Sequence, residues 1–401
     1  MNGAAYFSID YGSARERFLA AAGCLGIPVE THAIAATGPQ GETLNIDAAT
    51  IGPAQSRHVV IVSSGLHGVE GFLGSAAQLA WLAKFKSGDI ELPQQVKIVL
   101  VHALNPFGFA WLRRWNEKNV DLNRNFLGDR GLIASQQYRD SLAAYDRLQS
   151  FLNPPCPPSA WEPYTAKAVW RILAAGWMAR ERLSAEQRPA LLALNSIKQL
   201  GLTELQKSLL VGQYAHPNGL FYGGDGPEES SAWLQQRLPV WVAGADLALH
   251  IDFHSGLGKR GDLKLFIVDR KGSPRARWVA EHFGDAMVEA SDDEAGYSSN
   301  GTMAGYFQDR NAGGSYHCLT AEFGTSSGMR VLGALRAENQ AHFHAAQDSA
   351  NYRWAKRQIL EAFAPAASDW RETVIEKSLA IVARAIAVCS TTAPECCDRG
   401  I

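Results

Sequence analysis

The chain has 401 residues, 46% of them hydrophobic and 19% charged, which is enough apolar material for one large α/β domain or two to three smaller ones. Its 38 Lys and Arg residues against 40 Asp and Glu leave a net charge of -2. That balance excludes the positive excess on which nucleic-acid and polybasic membrane binders rely. No apolar run is long enough for a spanning helix. The stretch from Met1 to Phe18 carries Asp10, Arg15, Glu16 and Arg17 and lacks the apolar segment of a signal peptide, so a cytoplasmic location is expected. Cys24, Cys156, Cys318, Cys389, Cys396 and Cys397 form no Cys-x-x-Cys pair, and no disulfide framework is expected.

In chain order, Thr31 to Ala36 and Thr43 to Ala48 flank Gly38-Pro-Gln-Gly41 and read as a hairpin. Short apolar runs then read as buried strands: His58 to Ser63, Lys97 to His102, Leu247 to Asp252, Leu263 to Val268 and Cys318 to Glu322. Gly71 to Phe85 reads as a helix, with Lys84 and Lys86 near its negative end. Apolar strands alternating with helices predict a single α/β domain over residues 1–401, with a mostly parallel mixed sheet and helices on both faces. Residues 129–239 lack strand runs; with a Pro cluster at 153–158 and helical patterns at 166–182 and 184–210, they read as a helical insertion lying on that core. Ala334 to Val388 reads as helical again.

Several polar groups fall where such folds place their sites, at the carboxyl ends of strands. Ser64-Gly-Leu-His67-Gly-Val-Glu70-Gly71 directly follows a predicted strand. A His and a Glu three apart can converge on one cation there, since zinc accepts imidazole nitrogen and carboxylate oxygen, and the flanking glycines let backbone pass close by. His254, at the exit of the strand ending Asp252-Phe-His254, offers a third ligand, whereas His250 inside that strand reads as a hydrogen-bonded core residue. In Asn116 to Phe126, Arg124 can grip a carboxylate through its planar fork and Asn123 adds amide donors. Asp121 can orient a ligand histidine through its second ring nitrogen. Glu322 sits in an apolar strand, where burial raises a carboxyl toward the range useful for proton transfer.

Taken together, these residues resemble the zinc carboxypeptidase family, which includes the aspartoacylase and succinylglutamate desuccinylase-like deacylases. His102-Ala-Leu-Asn-Pro-Phe-Gly108 and Gly219-Leu-Phe-Tyr-Gly-Gly224 look most like an uncharacterised bacterial branch of it. The resemblance spans roughly residues 31–328 and is interrupted by the insertion. It implies one Zn2+ per chain held by His67, Glu70 and His254, with Asp121 orienting His67. It implies Glu322 as general base, Arg114 as the oxyanion arginine, and Asn123 and Arg124 as the clamp on a substrate carboxylate. Tyr297 matches the mobile tyrosine that closes over substrate, although Tyr306 lies close by, and Met303 falls near the specificity pocket. The insertion would form a lid or wall over the site, which favours small substrates over folded proteins.

The expected function is therefore zinc-dependent cleavage of an amide bond next to a free carboxylate in a short peptide or peptide-like molecule. An N-acyl amino acid deacylase of the aspartoacylase type is the alternative within hydrolases. A catalytically inactive metal-dependent binding protein is the alternative outside them. A serine hydrolase is disfavoured by the lack of a Gly-x-Ser-x-Gly elbow, and an oxidoreductase by the lack of Gly-x-Gly-x-x-Gly after a strand. No nucleic-acid or membrane partner is expected, and the sequence does not set the oligomeric state.

Overall fold

A computed structural model describes residues 3–128, 136–158, 211–291, 301–311 and 315–391. Among these residues one eight-stranded sheet runs in the order β1-β2-β4-β3-β5-β8-β6-β7. Its strands are β1 (Val29–Thr37), β2 (Thr43–Ile51), β3 (His58–Ser64), β4 (Val96–His102), β5 (Leu247–Gly256), β6 (Leu263–Arg270), β7 (Val288–Ser291) and β8 (Ser315–Gly324). β1 and β2 pair as the expected hairpin, and β2 adds antiparallel to β4. The centre, β4-β3-β5-β8, is parallel throughout. β3, β4 and β5 are buried along almost their whole length, as Val, Ile and Leu runs covered on two sides require.

Helices cover both faces. α1 (Tyr11–Cys24) packs on α2 (Gly71–Ser87), and α2 is buried over Gly71 to Leu82 because it lies against the sheet. Such a helix carries apolar and small residues all round. Gly74 lets it approach β3, since a Cβ there would lie 2.4 Å from the Ser64 Cβ. A short α3 (Pro106–Ala110) follows β4. Parts of the 129–239 segment are described: α4 (Gln136–Leu152) and α5 (Glu229–Trp241). Residues 159–210 of it lie outside the described residues. Trp233, Leu234, Leu238 and Trp241 of α5 join the main core, so the expected insertion boundary at Pro239 falls inside a core-packed helix. The remaining helices are α6 (Pro274–Phe283), α7 (Met303–Arg310), α8 (Gly328–His344), α9 (Ala350–Phe363) and α10 (Ser368–Thr391). No helix among the described residues is long and apolar enough to cross a membrane.

Register decides what meets at the carboxyl edge. Ser63 lies opposite Asp252, and His254 lies opposite Glu322. The loop leaving β3 after Ser64 therefore emerges beside His254. The loop 111–121 lies over it: the backbone N–H groups of Gly68 and Val69 donate to the carbonyls of Arg114 and Arg113 at 3.1 and 2.7 Å. That loop is anchored by a buried ion cluster. Arg113 Nε lies 2.9 Å and Lys356 Nζ 2.6 Å from the same Glu338 oxygen, and Arg113 also donates to Asn119. Burial opposes ionisation of Glu338, but the two cations hold its carboxyl below the usual range, while burial brings Lys356 down to about 8. Removing one partner of such a cluster strands the others in a low dielectric. Glu338→Ala should therefore lower the unfolding free energy by about 3–5 kcal/mol in urea denaturation; a loss under about 1 kcal/mol would show that the loop is held by something else.

Candidate metal centre

After β3 the chain turns through Gly65 in the left-handed region (φ 68°) and enters a 3₁₀ turn over Gly68–Glu70. Gly68 is required here, because a Cβ would meet the Gly108 backbone at 2.1 Å. Residues three apart eclipse in a 3₁₀ turn, which brings His67 and Glu70 onto one side. His67 Nδ1 lies 3.0 Å from Glu70 Oε1. From the end of β5, His254 Nδ1 reaches Glu70 Oε2 at 2.9 Å and His67 Nδ1 at 3.1 Å. The Ser255 N–H donates to Glu70 Oε2 at 3.2 Å. All three side chains are buried, and their ligand atoms lie within 4.8 Å of one another.

Each imidazole has a carboxylate on its far nitrogen. His67 Nε2 lies 3.2 Å from Asp121 Oδ1, and His254 Nε2 lies 2.5 Å from Asp252 Oδ2. Asp121 also caps the 3₁₀ turn Leu122–Arg124, accepting from the Asn123 N–H. Arg114 spans the cluster, with Nε on Asp121 at 3.0 Å, Nη1 on Glu70 at 3.4 Å and Nη2 on His67 Nε2 at 2.7 Å. A guanidinium only donates. Arg114 and Asp121 thus ask for opposite proton placements on His67 Nε2. A cation held on Nδ1 would place the ring proton on Nε2, which serves Asp121 and leaves the Arg114 Nη2–H to another acceptor.

The electrostatics follow from burial opposed by partners. Burial alone would raise Glu70, but His67 and His254 hold its carboxyl well below the usual range. Arg114 and His67 do the same for buried Asp121, as His254 does for Asp252. Burial disfavours a charged His254, yet Asp252 and Glu70 raise it well above the ordinary histidine value. Glu322 differs. It keeps part of its surface in contact with solvent and, among the described residues, accepts only the Leu257 N–H, at 2.8 Å. Burial of its carboxyl and the negative charge of Glu70 push it up to about 7.

The other singled-out residues fall around this centre. Arg124 is buried, with Nη1 donating to the Asn123 carbonyl at 2.6 Å. Its Nε has no hydrogen-bond partner among the described residues. Asn123 Oδ1 accepts from the Met303 N–H at 3.0 Å, which ties the buried Met303 to the same wall. Tyr306 packs under the Arg310 guanidinium, 3.7 Å from ring centroid to cation. Tyr297, Cys396 and Cys397 lie outside the described residues. Two further groups were not singled out from the sequence. Asp252 orients His254, and the alternation His250, Asp252, His254 in an apolar strand was the available signal. Phe221 places its ring 5.7 Å from the Arg114 guanidinium, held there in the left-handed region (φ 59°) rare for a bulky residue. Nothing in the local sequence marks it.

The donor set fits a divalent cation. Two imidazole Nδ1 atoms, 3.1 Å apart, and a carboxylate converge, and a cation bound there would take the place of the Nδ1 protons. Imidazole nitrogen with carboxylate oxygen is the ligand chemistry of zinc sites.

The model of a family described as "Protein of unknown function (DUF2817)" matches residues 7–377, so this chain belongs to that family. Among curated proteins no match is found. Among solved structures the chain is similar to bovine thrombin-activatable fibrinolysis inhibitor in complex with tick carboxypeptidase inhibitor, with 12% identity, 92% of this chain and 98% of that one covered, and a TM-score of 0.45. It is also similar to carboxypeptidase A from Helicoverpa armigera, with 13% identity, 90% and 73% covered, and a TM-score of 0.43. The architecture above rests on the chain's own sheet order and not on these likenesses.

Glu322 gives a pH prediction for the metal-free protein. In the fold its carboxyl keeps a proton that the unfolded chain releases near the ordinary value of 4.5. Stability present below 4.5 is therefore lost as pH rises toward about 7. Thermal unfolding of wild type and Glu322→Gln across this window should show the wild type losing ground to the variant. Parallel curves would show that Glu322 titrates normally.

Proposed function

We propose that this chain is a zinc-dependent hydrolase that cleaves an amide bond adjacent to a free carboxylate in a small peptide or peptide-like substrate. The observation that carries the reading is the pairing of two carboxylates in opposite environments at one centre. Glu70 is locked ionised between two imidazoles, while Glu322, opposite His254 in the sheet, is held near neutrality. The first suits a ligand and the second a general base.

His67 Nδ1, His254 Nδ1 and the Glu70 carboxylate would hold the ion. Zinc supplies Lewis acidity toward the scissile carbonyl and makes water a better acid. Glu322 takes the proton of the attacking water as its oxygen bonds to the carbonyl carbon. It then hands that proton to the nitrogen as the carbon–nitrogen bond breaks, leaving a carboxylic acid and an amine. Arg114 donates N–H groups to the oxygen that gathers charge in between. Arg124, with a donor unspent, and Asn123 hold the substrate carboxylate and fix the amide over Glu322. The segment 129–239 would wall the cleft and restrict it to small substrates.

Elemental analysis of purified wild type should give about one zinc per chain, lost in His67→Ala. Glu322→Gln should keep the metal and lose roughly 10²–10⁴-fold in turnover, the usual worth of a general base. Activity near wild type in that variant would remove Glu322 from the chemistry. A panel of peptides with free and amidated C-termini, alongside N-acyl amino acids, assigns the substrate class. Arg124→Ala should penalise the free acids by roughly tenfold to a hundredfold relative to the amides, as loss of a charge-assisted hydrogen bond does. An unchanged acid-to-amide ratio would exclude the clamp.

A further inference from the structure

Behind His254 a line of polar side chains runs along one face of the sheet. Ser63 on β3, His250 and Asp252 on β5 and Tyr316 on β8 are all buried. They are in continuous contact. Asp252 Oδ1 lies 2.6 Å from Ser63 Oγ, Ser63 Oγ 2.7 Å from His250 Nε2, and His250 Nδ1 2.8 Å from the Tyr316 hydroxyl.

Donor counting allows one direction along this chain. The Asp252 carboxylate only accepts, so the single Ser63 proton goes to it. Ser63 then accepts from His250 Nε2, so the His250 ring proton sits there. His250 Nδ1 is left as an acceptor and takes the Tyr316 hydroxyl proton. Burial, which brings His250 down to about 4, agrees with a ring carrying one proton. Every donor in the chain points toward Asp252. The other Asp252 oxygen accepts His254 Nε2–H, so that with a metal bound the His254 Nδ1 lone pair would face Glu70 and His67. Ser63, His250 and Asp252 leave no donor or acceptor over, unlike the buried atoms elsewhere that lack partners. An unpaired buried hydroxyl or imidazole is destabilising, so apolar residues would fill this face at less risk.

We propose that Ser63, His250 and Tyr316 are positioning residues of the metal centre: their one-way hydrogen-bond chain holds Asp252 ready to fix the tautomer and ring orientation of His254. The inference rests on the metal site of the preceding reading. Outer partners of ligand histidines typically change metal affinity by about 10–100-fold.

The test is zinc affinity of the full chain by competition with a chromophoric chelator, with thermal unfolding of the metal-free forms measured alongside. Ser63→Ala should weaken zinc binding by about tenfold or more. Tyr316→Phe, which keeps the ring, should weaken it by a smaller factor because it acts one residue further out. Ser63→Thr, which keeps the hydroxyl, should retain the wild-type affinity. Affinities within about twofold of wild type for both Ser63→Ala and Tyr316→Phe, whatever happens to metal-free stability, would reduce the chain to core packing. A wild type that binds no zinc sinks the metal site and this inference with it. Should Ser63→Ala fail to fold, Tyr316→Phe against wild type decides alone.

Discussion

A carboxylate buried away from water needs a donor on each oxygen, and Glu70 meets that need with two imidazoles from different parts of the chain. This sharing ties β3 to β5 at their carboxyl ends and brings two Nδ1 atoms to 3.1 Å. Burying three titratable groups this closely is costly unless their charges are matched. The match extends outward, because each imidazole has an aspartate on its far nitrogen and Arg114 bridges Glu70 to Asp121. The same geometry that stresses the bare protein is the one a divalent cation relieves.

That centre constrains the scaffold. The 3₁₀ turn carrying His67 and Glu70 presses against the Gly108 backbone, and its two N–H groups reach Arg113 and Arg114 carbonyls. Arg114 is therefore set by the main chain of the loop it belongs to, and that loop is pinned from behind by Arg113, Glu338 and Lys356. Charges on adjacent residues do different work. Arg113 is fully buried and holds position, while Arg114 turns to the centre with its ring contact on Phe221. Phe221 and Asn119 both take up the left-handed region, and strain of this kind collects where a site has to be held open in one shape.

Much of the fold was legible because its signals are local. Five apolar runs and the Gly38-Pro-Gln-Gly41 turn correspond to seven of the strands, and the all-round apolar stretch from Gly71 is the buried helix. β7 was not legible: Val288–Ser291 is short and pairs only with β6. The His-x-x-Glu pair, His254 and Glu322 stood out as polar groups at strand exits, and strand register brings them into one place. Arg113 and Glu338 did not stand out. They meet across 225 residues, and a charge on a helix reads as a solvated face until the tertiary contact is seen. His250 read as a hydrogen-bonded core residue, which it is; the direction of its hydrogen bonds becomes visible only with Ser63 and Tyr316 from neighbouring strands in place.

Glu70 and Glu322 show how one fold separates two chemically identical groups. The distance in pKa between them comes from neighbours and not from depth. Glu70 is the more buried, and burial pushes it upward, yet two imidazoles overcome that push. Among the described residues Glu322 receives one backbone N–H and no imidazole hydrogen bond, so burial and the charge of Glu70 prevail. The ionised group thus raises its neighbour. A proton acceptor poised near neutrality next to a fixed anion is what proton transfer to and from a water requires. A cation bound between the imidazoles would also screen Glu70 from Glu322 and bring Glu322 back down. On the proposed function, metal binding and the proton affinity of Glu322 would therefore be linked through Glu70.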